Sequence, residues 1–254
     1  MRAARYHGRG DIRFEDVPEP SPGPGDVKLR VLYAGICGTD LHEYAAGPLF
    51  VPTEPHPLTG VRTPVILGHE LCGEVVETGA EVTTCAPGDL VAVEPLQVCG
   101  VCPYCTSGAY NLCPTRAAHG LARDGGGFSD FTVVEERMAH RLPPGLTALQ
   151  GALVEPMSVG VHAVKRTEVE RGARVAVHGI GPIGLGILLA LRARGIETIA
   201  CDPSPRRRAA VISLGFPHVL DPAADDVSRA ISDLTDGHGV EASVDAAGVP
   251  AALE

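Results

Sequence analysis

The chain has 254 residues, a net charge of −10, 44% hydrophobic residues, 4% aromatics and no tryptophan. That length allows two domains of ordinary size, with cores built from Val, Leu, Ile and Ala. The acidic balance argues against a nucleic-acid or anionic-membrane surface as partner, since either needs a basic face.

The first residues, 1–11, carry charge early and have no apolar stretch of the secretory kind. A cytoplasmic protein with reduced thiols is therefore expected. The first ~150 residues are rich in Pro and Gly, and short apolar runs at 27–32, 73–76 and 90–93 are separated by turn signals such as Pro20-Ser21-Pro22-Gly23-Pro24-Gly25 and Ala86-Pro87-Gly88-Asp89. The pattern predicts an all-β, barrel-like unit with long loops.

Within this half, three separated pieces carry metal-ligand chemistry: Cys37 after a strand-like run, the adjacent His69 and Glu70, and Glu155 in Leu153-Val154-Glu155-Pro156. A sulfur, an imidazole and a carboxylate leave zinc an open position for a substrate oxygen, as catalytic zinc needs. Spacing alone does not bring the pieces together, and an ordinary surface or core His-Glu pair reads the same way.

A second cluster is compact. Cys99, Cys102, Cys105 and Cys113 follow the spacing C-x2-C-x2-C-x7-C. Four thiolates this close in sequence reach the corners of one tetrahedron and leave no open coordination position, which predicts a structural zinc. The competing reading is a disulfide-rich loop; two-residue gaps and the reducing compartment favour the metal.

From residue 155 onward the period changes. Helices are predicted at 155–166, 182–194, 205–214 and 224–234, and strands at 174–178, 198–201, 218–220 and 242–245, which implies parallel βαβ units. Residues 175–191 contain no Asp, Glu, Lys or Arg, but they are short for a membrane span and are broken by His178, Gly179, Gly181, Pro182 and Gly184.

Gly179-Ile180-Gly181-Pro182-Ile183-Gly184 fits G-x-G-x-x-G between a strand and an apolar helix. The first glycine permits the tight turn, the second lets backbone approach a pyrophosphate, and the third lets helix and strand pack closely. The helix N-terminus then offers unpaired N–H groups to phosphate. Asp202 follows Gly184 by 18 residues, at the end of the next strand. A carboxylate there accepts hydrogen bonds from the adenosine ribose hydroxyls and repels a 2′-phosphate, which predicts NAD over NADP. Arg206, Arg207 and Arg208 come just after it and pull the other way, since an arginine accepts such a phosphate.

The run Gly35-Ile36-Cys37-Gly38-Thr39-Asp40-Leu41-His42-Glu43-Tyr44, then Gly68-His69-Glu70, the four-cysteine lobe and the glycine turn together resemble the zinc-dependent medium-chain alcohol dehydrogenases. The phrases Gly47-Pro48-Leu49-Phe50-Val51-Pro52, His56-Pro57-Leu58-Thr59 and Gly125-Gly126-Gly127-Phe128 narrow the likeness to the butanediol and sorbitol dehydrogenase branch. The resemblance implies a fold of α/β plus β class: a GroES-like β-barrel catalytic domain over 1–154 and a Rossmann NAD-binding domain over 155–254. It implies one catalytic and one structural zinc, with NAD as cofactor.

Carried over residue by residue, Cys37 and His69 bind the catalytic zinc, and relatives complete the shell with Glu155 or with Glu70, Glu155 ranking first for this branch. Asp40 accepts from the second ring nitrogen of His69. Thr39 and His42 form a proton relay. Gly179, Gly181, Pro182, Ile183, Gly184, Asp202 and Arg207 hold the cofactor. The implied reaction is oxidation of a secondary alcohol or vicinal diol, of the 2,3-butanediol/acetoin type, by hydride transfer from a zinc-bound alkoxide. Polyol or L-threonine oxidation is the alternative, and full-length relatives are expected to be homo-oligomers. The remaining histidines are expected to be structural or surface residues, and Cys72, Cys85 and Cys201 small core residues.

About four strands follow Glu170, whereas a complete dinucleotide fold has six. The nucleotide domain is thus expected to be incomplete at its C-terminus, with another helix starting near 251. The corresponding expectation is a chain that binds zinc with little or no dehydrogenase activity, at the limit a non-catalytic zinc-binding remnant.

Overall fold

A computed structural model describes residues 1–252. The chain divides into two compact units, Met1–Glu155 and a second from Pro156 onward.

The first unit is built from ten short strands: β1 (Arg2–Gly8), β2 (Asp11–Asp16), β3 (Asp26–Gly35), β4 (Val65–Ile66), β5 (Glu70–Thr78), β6 (Leu90–Val93), β7 (Leu96–Gln97), β8 (Ala117–Ala118), β9 (Phe131–Glu135) and β10 (Ala139–Arg141). Helix α1 (Gly38–Ala46) follows β3, α2 (Pro103–Thr106) lies in the cysteine lobe, and α3 (Ala148–Gly151) comes near the end. The strands form a three-stranded sheet in the order β2-β1-β4, a five-stranded sheet β10-β6-β5-β3-β9, and the pair β7-β8. Pairing in the five-stranded sheet is antiparallel throughout. One face of it therefore buries alternate residues, and Val27, Leu29, Leu71, Val75, Val91, Val93, Val134 and Met138 form its core. A smaller core gathers Tyr6, Val51, Val65, Leu67 and Leu121. The strands run longer than the apolar runs that announce them (26–35 and 70–78 against 27–32 and 73–76), because ladder hydrogen bonds carry the pairing past the apolar positions.

The register of one pair brings together residues far apart in sequence. In the antiparallel ladder β3–β5, Gly35 faces Glu70. Cys37 lies just beyond the end of β3 and His69 just before the start of β5. Two sequence-distant segments are thus delivered to the same end of the sheet.

Glu43, in α1, is completely buried. Its carboxylate accepts from the amides of Leu49 (3.0 Å) and Val51 (3.2 Å), and from that of Phe50 between them. The Tyr6 phenol is pushed up by burial and then by this neighbouring carboxylate. Three convergent amides around one acid make a small anion nest, and the nest fixes the loop that follows the helix. Leu49 (56% exposed) and Phe50 (59% exposed) are thereby displayed at the surface. Glu43→Gln places an NH2 group in the nest and leaves it one oxygen. The expected outcome is a loss of about 2 kcal/mol of stability in urea unfolding, whereas an unchanged midpoint would show that Oε1, which all three amides reach, is enough by itself.

The second unit contains α4 (Val154–Thr167, which begins in the first), β11 (Arg174–His178), α5 (Pro182–Ala193), β12 (Glu197–Cys201), α6 (Pro205–Ser213), β13 (His218–Leu220), α7 (Val227–Leu234) and β14 (Ala242–Asp245). Its sheet is wholly parallel in the order β13-β12-β11-β14. In chain order that is 3-2-1-4, the arrangement in which a doubly wound nucleotide fold begins. Val175, Val177 and Ala200 of the sheet pack with Ile187, Leu188 and Leu191 of α5 and with Val164, Val211 and Phe216. Helix α7 starts three residues later than the sequence pattern suggests, because Asp226 accepts from the Arg229 amide and caps it. A single 3-10 turn occupies Pro250–Ala252; Leu253 and Glu254, where a further helix is expected to continue, lie outside the described residues. Among the described residues no helix is long and apolar enough to cross a membrane.

Candidate metal and nucleotide sites

Cys37 is the N-cap of α1: its amide donates to Asp40 Oδ2 at 2.9 Å, so the first turn of the helix locks the thiol in place. The ligand atoms of Cys37, His69 and Glu70 all lie within 4.8 Å of one another. Room for the Glu70 carboxylate depends on Gly35, whose position directly across the ladder would put any side chain into that carboxylate. Burial pushes the Cys37 thiol up; contact with Thr39 opposes this and Glu70 adds to it. Asp40 is only 3% exposed, and its carboxyl is raised by burial against the opposing pull of His69. Asp40 Oδ1 and His69 Nδ1 face each other at 3.6 Å, both buried and without a closer polar partner. With Nδ1 turned to Asp40, Nε2 is the nitrogen left for a metal.

Glu155 starts α4 half-buried. Burial pushes its carboxyl up, His69 pulls it down, and Glu70 and Asp40 push it up again. It is therefore within electrostatic reach of the cluster, yet its oxygens are not in the group that converges within 4.8 Å. Thr39 Oγ1 is 3.6 Å from the Cys37 sulfur, and His42 lies one helical turn further on, exposed. A thiol, an imidazole and carboxylates gathered this closely form a donor set that suits a divalent cation.

The four cysteines of the lobe also converge within 4.8 Å. Cys102 and Cys105 sulfurs are 3.5 Å apart, Cys99 and Cys105 3.9 Å, and all four thiols are free. These separations exclude disulfides, which need about 2.05 Å. Cys113 is pulled down to about 6, chiefly by the Cys99 backbone, while Cys105 is pushed up to about 12 by burial and by Cys102. Four free sulfurs that converge in this way match a site for a thiophilic cation.

In the second unit the glycine turn has the geometry its spacing requires. Gly179 has φ +89°, and a Cβ there would lie 2.7 Å from the Ala247 amide. Gly184 sits so close to the Gly179 carbonyl that no side chain fits between them. Gly181 caps α5 without a side-chain partner, and a Cβ on it would meet nothing within 4 Å. That open cradle over a helix N-terminus, with Pro182 and Ile183 opening the helix, fits a phosphate.

Asp202 directly follows β12, where the sequence puts it, and its carboxylate is engaged by backbone amides. Its side chain is 1% exposed, Oδ2 accepts from the Ile180 amide at 2.7 Å, and Oδ1 accepts from the Ser204 amide at 2.8 Å. Burial raises its carboxyl, but these amides and Arg207 outweigh burial and hold it below the usual Asp value. Arg207 is exposed and approaches Asp202 Oδ2 at 3.4 Å. Arg208 is committed to the Asp202 carbonyl and to Asp221.

Cys72, Cys85 and Cys201 are buried. His119 is fully buried as well and is pushed down to about 3 by its burial; its Nε2 meets Thr132 Oγ1 at 2.8 Å. The sequence reading assigned no role to Glu43, although an acid repeated one turn after Asp40 in an otherwise half-apolar helix is the signal that marks it.

Both halves of the chain match known families. Residues 23–144 match the family described as alcohol dehydrogenase GroES-like domain, and residues 182–254 the family described as zinc-binding dehydrogenase. The chain is 44% identical to (R,R)-butanediol dehydrogenase of Bacillus subtilis, over 100% of this chain and 72% of that protein. A crystal structure of 2R,3R-butanediol dehydrogenase from Bacillus subtilis superposes with a TM-score of 0.91, covering 98% of this chain and 71% of the other. A zinc-binding dehydrogenase from Sinorhizobium meliloti, bound to NADP, has a TM-score of 0.89 at 34% identity, covering 100% of this chain and 71% of that one.

Proposed function

For a chain that belongs to the zinc-binding dehydrogenases with a GroES-like alcohol dehydrogenase domain, we propose NAD-dependent oxidation of a vicinal diol of the 2,3-butanediol type to its ketone. The observation that carries this reading is the convergence of Cys37, His69 and Glu70 within 4.8 Å, in a chain that also holds an open glycine cradle. Likeness to a butanediol dehydrogenase at 44% identity supports the substrate class.

Cys37 and His69 would hold the catalytic zinc, with Glu70 or Glu155 as the acid beside them; Cys99, Cys102, Cys105 and Cys113 would hold the structural one. The chemistry these groups supply when bound is Lewis-acid lowering of a hydroxyl pKa, by about eight units in the case of water, and hydride acceptance by nicotinamide. The rest belongs to the chain. Asp40 faces His69 Nδ1 and fixes the ring's tautomer and direction. Thr39, beside the thiol, takes the substrate's proton. His42, exposed on the same helix, returns it to solvent, a task suited to imidazole. Gly181 and the first turn of α5 receive the pyrophosphate, and the negative charge of Asp202 disfavours a 2′-phosphate.

The test is NADH formation from 2,3-butanediol, sorbitol and L-threonine, with metal content measured on the same sample. Fastest turnover on butanediol, lost on chelation, is expected. Turnover that ignores the chelator would remove the catalytic metal from the account, and silence with every alcohol at two zinc ions per chain would leave a non-catalytic zinc protein.

A further inference from the structure

We propose that Asp202 is a positioning residue that shapes the pyrophosphate turn, over and above any ribose hydroxyl it accepts from. The inference rests on the nucleotide-binding reading above and concerns how the turn keeps its form. Two successive amides of the turn are tied to the end of β12: Gly179 donates to the Cys201 carbonyl at 2.8 Å, and Ile180 to Asp202 Oδ2 at 2.7 Å. The first tie is backbone to backbone and survives any substitution. The second exists because the side chain of residue 202 offers an acceptor oxygen.

Ile180 is 4% exposed, so water does not replace a lost partner for its amide. An orphaned amide there forces the peptide to turn away, and the next residue is Gly181, the cap that presents the cradle. Asp202 is itself held from several directions. Its amide donates to the Leu220 carbonyl at 3.2 Å, its carbonyl accepts from Arg208 at 2.8 Å, and Oδ1 accepts from Ser204. A carboxylate fixed this firmly acts as part of the scaffold.

Asparagine at 202 keeps the shape but has one oxygen and one NH2, so it accepts from Ile180 or from Ser204 through its oxygen and opposes the other amide with a donor. A ligand without ribose hydroxyls separates the two roles. ADP and 2′,3′-dideoxy-ADP are titrated calorimetrically into the full chain and into Asp202→Asn. The brace predicts about tenfold weaker binding of both nucleotides by the variant. Weakened ADP with unchanged dideoxy-ADP would overturn it and leave Asp202 as a hydroxyl reader alone. If the unsubstituted chain binds neither nucleotide, the nucleotide reading fails, and this inference with it. Should Asp202→Asn not fold by circular dichroism, hydrogen exchange on the nucleotide-free parent chain decides: a protected Ile180 amide supports the brace, and exchange at the rate of an unstructured peptide overturns it.

Discussion

Cys37→Ser lowers turnover on 2,3-butanediol by at least about a thousandfold and leaves one zinc per chain in place of two. A serine hydroxyl is a poor ligand for zinc at neutral pH, whereas a thiolate is a preferred one. Loss of Lewis-acid assistance removes several kcal/mol of transition-state stabilisation, and about 4 kcal/mol is already a thousandfold in rate. The helix start survives the change, because the Cys37 amide, not its side chain, makes the bond to Asp40 Oδ2. The variant therefore unfolds at the temperature of the parent measured without its catalytic metal. Near-normal turnover with two metals bound would take Cys37 out of the shell. Glu70→Gln and Glu155→Gln extend the measurement: whichever lowers metal content identifies the third ligand.

Cys102→Ala acts on stability first. Its sulfur contacts Cys105 at 3.5 Å and its amide donates to the Cys99 sulfur, so the residue joins both turns of the lobe. Apparent binding energies at tetrathiolate or similar structural sites are about 10–16 kcal/mol, and much of that is folding energy. The lobe has little else to hold it, since Val101 is 81% exposed and Cys113 is the buried residue among the four ligands. The expected result is loss of one zinc, a steep fall in thermal unfolding temperature, and proteolytic cutting between residues 99 and 113. Cys72→Ala, a buried thiol outside both clusters, costs only about 1–2 kcal/mol. Equal stability losses for the two variants would show the lobe holds no structural metal.

The nucleotide half was the more legible in sequence. Strands 174–178, 218–220 and 242–245 coincide with the runs that announce them: β11, at the centre, is buried along most of its length, while β14 keeps Ala242 and Val244 on one face and exposes Ser243 and Asp245 on the other. The antiparallel half hid its strand ends, since one solvated face lets polar residues such as Glu74 and Glu77 stay in the ladder. The four-cysteine lobe could be read from spacing, because its ligands are neighbours in the chain. The other cluster could not. Cys37 and His69 meet only through the register that sets Gly35 against Glu70, and that register is a long-range property. The bonds of Asp202 to Ile180 and Ser204 were equally hidden: spacing located the residue but not what its oxygens touch.

The nest around Glu43 has a consequence for anyone redesigning this surface. It grips peptide N–H groups and ignores the side chains attached to them. Positions 49 and 50 are therefore open to almost any residue, proline excepted because it has no hydrogen to give. The count of residues from Ala46 to Val51 carries no such freedom, because one inserted or deleted residue pulls the amides out of reach. Variation in identity is cheap at this corner and variation in length is not, so libraries here should randomise letters and leave spacing alone.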